Sequence, residues 1–195
     1  YRTTLNKGKS ETTLESELKN VSSYLDIQKL LHEDLFEVTW QVEPDLPEVK
    51  IPNLLLQPLV ENALVHGILP NKPKKGRLFL SVSRVMNQIR FTILDNGVGI
   101  PREKLPALLQ MDSGGYGLKN VDERLRLTYG EEYGLNIQSI EGESTMVTFC
   151  IPFYGQEEEE KSESEKYFGV GGKGGKNRNF HRTHESARGG ASQDL

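Results

Sequence analysis

The sequence predicts an α/β fold in two layers, with a mixed sheet of about five strands that carries three helices on one face. Five segments alternate apolar and polar residues as half-buried strands do, and they cover residues 36–42, 77–84, 89–95, 134–140 and 145–151. Three other segments repeat apolar residues every three or four positions as helices do, and they cover residues 12–31, 52–67 and 117–128. Each kind of element has one apolar face, so the helices are expected to pack on the sheet.

The first helix is predicted from an apolar stripe on one face, formed by Leu14, Leu18, Val21 and Leu25 and continued toward Ile27 and Leu31. Thr13, followed by Ser16 and Glu17, is a helix start signal. We expect the stripe to be exposed and to promote association of the chain with itself.

The second helix is expected to begin at Pro52, because proline is tolerated in the first turn of a helix, and to end at Gly67. Pro58 then falls inside the helix and should kink it or mark an irregular turn. The strands at 77–84 and 89–95 are joined by a link short enough for a hairpin. A further short helix is expected over residues 101–110.

Composition and charge exclude several classes of protein. Of the 195 residues, 35% are hydrophobic and 27% charged, which suits one globular domain. No apolar run approaches the roughly 18–20 residues of a membrane-spanning helix, and the polar first residues do not resemble a signal peptide. The single Cys150 excludes an internal disulfide. A net charge of −4 argues against a nucleic-acid partner, and the absence of an initial methionine suggests a fragment.

The end of the chain differs from the rest. Residues 155–195 contain an acidic run and then a stretch rich in glycine and basic residues. Neither stretch can bury enough apolar surface to offset the chain entropy lost on folding, so we expect a disordered tail. The expected organisation is a helical segment over 1–35, a domain over 36–154 and this tail.

A polar pair interrupts the apolar second helix, within the segment ENALVHG at 61–67. Asn62 and His66 are four residues apart and share a helix face. A buried amide without partners costs about 1–3 kcal/mol, so its presence here needs a reason. One interpretation is that the amide oxygen binds a hydrated Mg²⁺. The other is that both side chains are hydrogen-bonded helix residues near a loop.

The strand at 89–95 runs directly into the segment DNGVGI at 95–100. Asp95 could accept a hydrogen bond from an exocyclic amine such as that of adenine. Gly97 and Gly99 would let the backbone approach a flat ligand closely. The alternative is a plain turn after a strand, since Asp-Asn-Gly is a common turn sequence.

A glycine cluster, Gly114, Gly115 and Gly117, comes immediately before the third long helix. Glycines at a helix N-terminus leave backbone N–H groups free to bind phosphate. Asn120 and Arg124 are four residues apart on that helix and could face the same phosphates. Alternatively, the cluster is only a flexible lid.

In order and spacing, these three motifs resemble the N, G1 and G2 boxes of the Bergerat ATP-binding fold, which is shared by histidine kinases, Hsp90-like chaperones, type II topoisomerases and MutL. The chain is most similar to sensor histidine kinases of the LytS/YehU type. The similarity lies in LESELKNVSSYLDIQKL at 14–30, IPNLLLQPLVENALVHG at 51–67 and GGYGLKNVDERLRLTYG at 114–130, and it covers residues 14–152 almost continuously.

This resemblance implies a histidine kinase catalytic domain, a two-layer α/β sandwich of Bergerat type with ATP and Mg²⁺ as cofactors. Such a domain transfers the γ-phosphoryl group of ATP to a histidine outside this fragment, and thence to a response regulator. The implied partners are the phosphoacceptor-histidine domain of the same protein, the response regulator and a second copy of the parent, with no nucleic acid. The parent would be anchored in the bacterial inner membrane, with this domain in the cytoplasm.

The family pattern also implies the site residues. Asn62 would bind Mg²⁺, and it forms the candidate catalytic pair with the adjacent Glu61. Asp95 would bind the adenine amino group. The other implied ATP contacts are His66, Gly97, Gly99, Gly115, Gly117, Leu118, Asn120, Arg124 and Thr145, the last from the segment GEST at 142–145.

The chain departs from the family pattern at several positions. Val65 stands where family members usually carry lysine, which removes an implied phosphate contact. Ser144 replaces the second glycine of the G-x-G-T motif. No acceptor segment like NPHFLFNTL is present. His32 and the pair His181 and His184 are not expected to supply an acceptor or a metal site.

Other interpretations stay open. A self-contained ATPase of the chaperone or topoisomerase type would carry a glutamate one turn before Asn62, where this chain has Pro58. Glu61 points about 100° away around the helix, which argues against ATP hydrolysis. A serine kinase of the anti-sigma type does not suit the YLDIQK helix. A nucleotide-binding or dimeric signalling module with weak catalysis is compatible with Val65 and with the missing acceptor.

Overall fold

The computed structural model describes residues 11–33, 35–71, 75–109 and 116–153. They belong to one compact unit, Tyr1–Tyr154. The predicted tail at 155–195 lies outside the described residues. Within the described ranges, no helix is long and apolar enough to cross a membrane.

The elements follow one another along the chain and are named here in that order. They are β1 Glu11–Thr13, α1 Leu14–Leu31, β2 Phe36–Val42, β3 Lys50–Pro52, α2 Gln57–Glu61, the π-helical segment Asn62–Ile68, β4 Gly76–Val85, β5 Gln88–Asp95, a 3₁₀ turn Leu105–Ala107, α3 Tyr116–Tyr129, a second 3₁₀ turn Glu131–Tyr133, β6 Asn136–Ile140 and β7 Ser144–Pro152.

Five strands form one mixed sheet in the order β2-β4-β5-β7-β6. β2 and β4 are parallel, and the other neighbours are antiparallel. All five predicted strands are present, with ends that differ from the prediction by one or two residues at most. The register places Asp95 at the end of β5 directly opposite Thr145 on β7, so these two predicted site residues are neighbours on the sheet.

The helices cover one face of this sheet. Their buried side chains and the inner face of the sheet form one hydrophobic core, which includes Val21, Leu25, Leu59, Leu64, Val121, Leu125, Leu80, Phe91 and Phe149. The rings of Phe91 and Phe149 stack with centroids 4.5 Å apart. On the opposite face, Arg90 and Gln138 are exposed. This is the predicted two-layer sandwich.

The expectation of an exposed stripe on α1 is wrong. Leu14, Val21 and Leu25 are at most 4% exposed, whereas Ile27 and Leu31 are 56% and 67% exposed. The reason is a short two-stranded sheet that the sequence did not predict, in which β1 pairs with β3 and brings α1 onto the core. Thr13 does cap α1, because its hydroxyl accepts a hydrogen bond from Ser16 N at 3.2 Å.

The second helix begins later than expected. Pro52 ends β3, and a turn over residues 53–56 separates it from α2. Leu54 in this turn has a φ of 54°. Pro58 therefore lies in the first turn of α2, directly after the irregular turn over residues 53–56, rather than inside a longer helix. A further irregularity is the π-helical segment, where Leu69 N donates to Leu64 O five residues earlier at 2.9 Å.

The short helix expected over residues 101–110 is reduced to turns and the 3₁₀ segment Leu105–Ala107 within the described part. Pro106 lacks the N–H that a longer α-helix would use. The third long helix is confirmed as α3, Tyr116–Tyr129.

Candidate functional site

A cavity of about 410 Å³ opens between the helix layer, the loop after β5 and the start of α3. Its walls include apolar side chains such as Leu59, Ile93 and Val147, which suits a flat apolar ring. Six of the predicted site residues line this one cavity, namely Asn62, His66, Asp95, Gly99, Leu118 and Thr145. The three sequence motifs therefore meet in space.

Asn62 is the first residue of the π-helical segment. Its side-chain amide nitrogen donates to Pro58 O at 2.6 Å. Because a carbonyl oxygen can only accept, the nitrogen rather than the oxygen must face Pro58. This fixes the amide orientation and leaves the acceptor Oδ1 for other partners. An amide oxygen held in this way is a ligand type that Mg²⁺ accepts.

The backbone at the start of α3 lies against that amide. A β-carbon built on Gly117 would stand 2.7 Å from Asn62 Nδ2 and 3.5 Å from Pro58 Cβ. Only glycine allows this close approach without moving the amide. Gly117 thus joins the start of α3 to the helix that carries Asn62.

Asp95 ends β5 and is only 3% exposed. Burial raises the pKa of its carboxyl group to about 6, and a hydrogen bond from Gly97 N to Oδ1, at 2.9 Å, partly opposes that shift. Gly67 packs on the same carboxyl group, since a β-carbon there would stand 2.6 Å from Asp95 Oδ1. The result is a buried hydrogen-bond acceptor in the wall of an otherwise apolar cavity.

The glycines after Asp95 hold the loop against its neighbours. A β-carbon on Gly97 would collide with the backbone of Gly67, and Val98 N donates to Gly67 O at 2.9 Å. Gly99 has a φ of 64°, and a β-carbon there would collide with Ile140 O. The loop is therefore fastened to the π-helical segment on one side and to the end of β6 on the other.

Thr145 faces the cavity beside Asp95 and is 8% exposed. Its hydroxyl lies 2.9 Å from Ser139 Oγ, which donates to Ser144 O at 2.7 Å and accepts from Ile100 N at 2.9 Å. Since the single hydroxyl hydrogen of Ser139 is already used, Thr145 must be the donor in the contact between the two hydroxyls. The lone pairs of Thr145 are then left to accept from a ligand.

In the part of the chain that the structure describes, two positively ionisable side chains line the cavity. His66 is exposed and lines the cavity together with Asn62, with which it was predicted to share a helix face. Lys104, in the turn after the glycine loop, was not predicted. The sequence shows only that a lysine follows a few residues after DNGVGI. The side chain of Lys104 reaches the cavity because the chain turns there, with a hydrogen bond from Lys104 N to Pro101 O at 2.9 Å, and the sequence alone did not predict this turn.

Some predicted site residues lie elsewhere. Glu61 accepts a hydrogen bond from Gln57 Nε2 at 2.8 Å and does not line the cavity. Arg124, expected to face phosphates, donates instead to the carbonyl oxygens of Asn53 and Leu54. Asn120 is half-buried on α3 but is not a lining residue.

Two more glycines, Gly97 and Gly115, were predicted to contact ATP. Gly97 supports the loop rather than lining the cavity. Gly115 lies outside the described residues. Among the described residues, no group of three or more histidine, cysteine, aspartate or glutamate side chains could hold a metal ion. A divalent cation at Asn62 would thus depend on ligand oxygens and water for most of its coordination.

A two-layer sandwich with this cavity between its helices and the glycine loop after a strand has the architecture of an ATPase domain of Bergerat type. The chain belongs to the family of histidine kinase-, DNA gyrase B-, and HSP90-like ATPases, whose model matches residues 50–155.

Curated relatives extend the match beyond that model. The chain is 29% identical over 170 residues to the sensor protein LytS of Staphylococcus epidermidis, and this alignment covers 84% of this chain and 28% of the relative. It is 36% identical over 152 residues to LytS of Bacillus anthracis, covering 75% of this chain and 26% of the relative. It is 35% identical over 148 residues to the sensor histidine kinase YpdA of Escherichia coli, covering 75% and 25%. The chain thus spans about a quarter of the length of these relatives.

Solved structures share the fold. The histidine kinase AdeS of Acinetobacter baumannii superposes with a TM-score of 0.56 at 16% identity, covering 77% of this chain and 72% of that one. The histidine kinase ThkA, crystallised with the response regulator protein TrrA, gives a TM-score of 0.56 at 16% identity, covering 77% and 45%. At this identity the likeness establishes the fold alone.

Proposed function

We propose that this chain is the ATP-binding catalytic domain of a sensor histidine kinase. It would bind MgATP in the cavity and present the γ-phosphoryl group to a histidine on a segment outside this chain. The observation that carries the proposal is the meeting of Asn62, Asp95 and Thr145 at one cavity, with the backbone of Gly117 against Asn62. The names of the curated relatives, which are sensor proteins and a sensor histidine kinase, support the same activity.

Adenine is assigned to the Asp95 side of the cavity. The carboxyl group of Asp95 and the lone pairs of Thr145 are acceptors, which suits the exocyclic amino group of adenine as a donor. Ile93 and Val147 provide apolar surface for the ring faces. The solved structure of the histidine kinase ShkA contains AMPPNP, an adenine nucleotide.

The phosphates are assigned to the Asn62 side, at the start of α3. Asn62 Oδ1 would hold Mg²⁺, which neutralises phosphate charge when it is bound. The start of α3 lies against Asn62 through Gly117, and the N-terminus of a helix favours an anion. Lys104 supplies a cation in the cavity wall and would offset the phosphate contact that the family pattern implies for a lysine at the position of Val65.

Phosphoryl transfer needs little covalent chemistry from the domain. The transition state is loose, so catalysis comes mainly from positioning and charge stabilisation. The acceptor histidine would bring its own nucleophilic nitrogen. Asn62 is therefore assigned a holding role, and a response regulator would receive the phosphoryl group from the acceptor. The crystallised pair of ThkA and TrrA is consistent with such a partner.

Self-contained ATP hydrolysis is the less favoured function. Pro58 occupies the position one turn before Asn62, where a water-activating glutamate would stand. Glu61 is bonded to Gln57 and interacts electrostatically with Tyr24, whose pKa rises mainly through burial and also through Glu61. Glu61 thus faces α1 rather than the cavity.

The experiment supplies γ-labelled ATP and Mg²⁺ to the chain together with a separate polypeptide that carries the family's acceptor segment. We expect label on the acceptor histidine, as an acid-labile phosphate, and its loss in Asn62→Ala. Tight ATP binding without transfer would favour a non-catalytic nucleotide-binding module. Phosphate release that does not depend on the acceptor would favour an ATPase.

A further inference from the structure

Glu17 on α1 is a buried carboxyl group that the proposed site does not use. It is 1% exposed. Its Oε1 accepts from Leu56 N at 3.0 Å and from Gln57 N at 3.5 Å, and its Oε2 accepts from Leu54 N at 3.3 Å. Since α2 has no side-chain cap of its own, Glu17 satisfies N–H groups that the start of α2 would otherwise leave without partners.

The same turn is held from its other side by α3. Arg124 Nη1 donates to the carbonyl oxygen of Asn53 and, at 3.5 Å, to that of Leu54. Glu17 thus binds N–H groups of the segment 53–57, which is the turn over 53–56 together with the first residue of α2. Arg124 binds carbonyl groups of the same segment. Leu54 has a positive φ, which is uncommon for a non-glycine residue and persists only when the surroundings fix it.

This turn sets the position of Asn62. Gln57, which donates to Glu17, begins α2, and Asn62 follows it after about 7.5 Å of helix at 1.5 Å per residue. The amide of Asn62 is in turn bonded to the carbonyl of Pro58, the second residue of α2. A displacement of the turn would therefore move both the backbone and the side chain of Asn62.

We infer that Glu17 and Arg124 form a clamp on the segment 53–57 and act as positioning residues for Asn62. The inference rests on the proposed function in assigning Asn62 to Mg²⁺. Asp95 is not held by this turn, because it is fixed by Gly67, Gly97 and the ladder of β5. The clamp acts on the metal side of the site and leaves the adenine side unchanged.

The clamp also connects α1 to the site. Glu17 lies before residues 50–155, which the family model matches. A shift or rotation of α1 would pull on the amides of Leu54 and Leu56 and so change the position of Asn62. This is a short mechanical route from the segment that precedes the ATPase domain to the phosphate end of its cavity.

The test is Glu17→Gln, which keeps the size of the side chain but replaces one acceptor oxygen with a donor. ATP affinity is measured by calorimetry in excess Mg²⁺ and again in EDTA. We expect the preference for Mg²⁺ to fall about tenfold, as is usual when a group supporting a metal ligand is changed, while the affinity in EDTA stays within about twofold of the parent. The control is Glu15→Gln on the same helix, which is exposed and should change neither value.

A parental Mg²⁺ preference in Glu17→Gln would overturn the inference. Equal losses with and without Mg²⁺ would also overturn it, because they indicate a general structural role. If Glu17→Gln does not fold, Arg124→Lys, which keeps the charge but loses the guanidinium fork, provides the same comparison with an expected smaller loss.

Amide hydrogen exchange separates this inference from the proposed function. In Glu17→Gln, exchange should accelerate at Leu54, Leu56 and Gln57 and over residues 59–63 around Asn62. It should stay unchanged at Gly67 and along β5. If the parent chain binds no ATP, the proposed function fails. The exchange pattern would still show whether the clamp holds the helix that carries Asn62. Unchanged exchange over residues 59–63 would contradict the clamp itself.

Discussion

Gly117 lies so close to Asn62 that a β-carbon on the glycine would stand 2.7 Å from the amide nitrogen of the asparagine. The first turn of α3 and the helix that carries the proposed metal ligand therefore share one contact. Because the amide is the flexible end of a side chain, a methyl group at position 117 would displace it rather than break the fold.

Gly117→Ala should consequently weaken MgATP binding without lowering the stability of the fold. Alanine is the better helix former by about 0.5–1 kcal/mol, so the melting temperature should hold or rise. MgATP affinity should fall about tenfold, comparable to other losses of metal-supporting contacts. Calorimetry and thermal melts of the same preparations check both values. Thr128→Ala, at an exposed position of α3, is the control and should leave binding unchanged. Parental MgATP affinity in Gly117→Ala would disprove this role of the contact.

A second pair of glycines gives a prediction about stability. A β-carbon on Gly97 would collide with the backbone of Gly67, which cannot move without shifting the π-helical segment. Gly97→Ala should cost about 2–3 kcal/mol of unfolding free energy. Gly142→Ala is the matched control, because that β-carbon meets nothing within 4 Å and only its φ of 78° is unfavourable, at about 1 kcal/mol.

Urea unfolding of the two variants decides the comparison. A larger loss in Gly142→Ala than in Gly97→Ala would mean that the loop after β5 is not fastened to Gly67 as described.

The buried carboxyl group of Asp95 predicts a pH dependence with a definite sign. Its pKa is about 6 in the folded chain against an ordinary value of 3.8 for an aspartate, so the folded state retains the proton between these two pH values and the unfolded state does not. Stability from this group is complete below pH 4 and is lost as pH rises through 6. The loss amounts to about 3 kcal/mol at 1.36 kcal/mol per pKa unit.

The measurement is urea unfolding of the parent and of Asp95→Asn between about pH 4 and pH 7. Other carboxyl groups titrate in both proteins, so the difference between the two curves isolates Asp95. The stability of the parent relative to the variant should decline with rising pH. A difference that is flat, or that grows with pH, would contradict a raised pKa.

Lys104 should contribute to binding of the ATP phosphates and not to binding of adenine. Lys104→Met is expected to weaken ATP binding a few-fold, by the roughly 1 kcal/mol of an exposed charge contact, and to leave adenosine binding unchanged. The loss should shrink at high salt, because salt screens exposed charges. Arg102→Met removes a nearby exposed cation that does not line the cavity. Equal effects of the two substitutions on ATP would remove Lys104 from the proposed site.

The sheet was predictable because its signal is local. Strands such as 36–42 and 89–95 alternate with a period of two, and Asp95 stands where that alternation stops. The three glycine and asparagine motifs were recognisable by their order. The fold class and the meeting of Asn62, Asp95 and Thr145 at one cavity follow from these patterns.

What the sequence did not predict depends on contacts between distant residues. The three-residue strands β1 and β3 are too short to show alternation, and they bury the stripe of α1 that was expected to be exposed. Glu17 acts on amides 37 to 40 residues later in the chain. Arg124 was expected at the phosphates because it shares a helix face with Asn120, but its long side chain reaches the turn before α2 instead.

The most direct measurement is a calorimetric titration of MgATP into the 195-residue chain, beside Asn62→Ala and Asp95→Ala. We expect one nucleotide to bind per chain with micromolar affinity. We also expect loss of the Mg²⁺ preference in Asn62→Ala and loss of most binding in Asp95→Ala. No binding by the parent chain below millimolar concentration, or equal binding by all three proteins, would contradict the assignment of this cavity to MgATP.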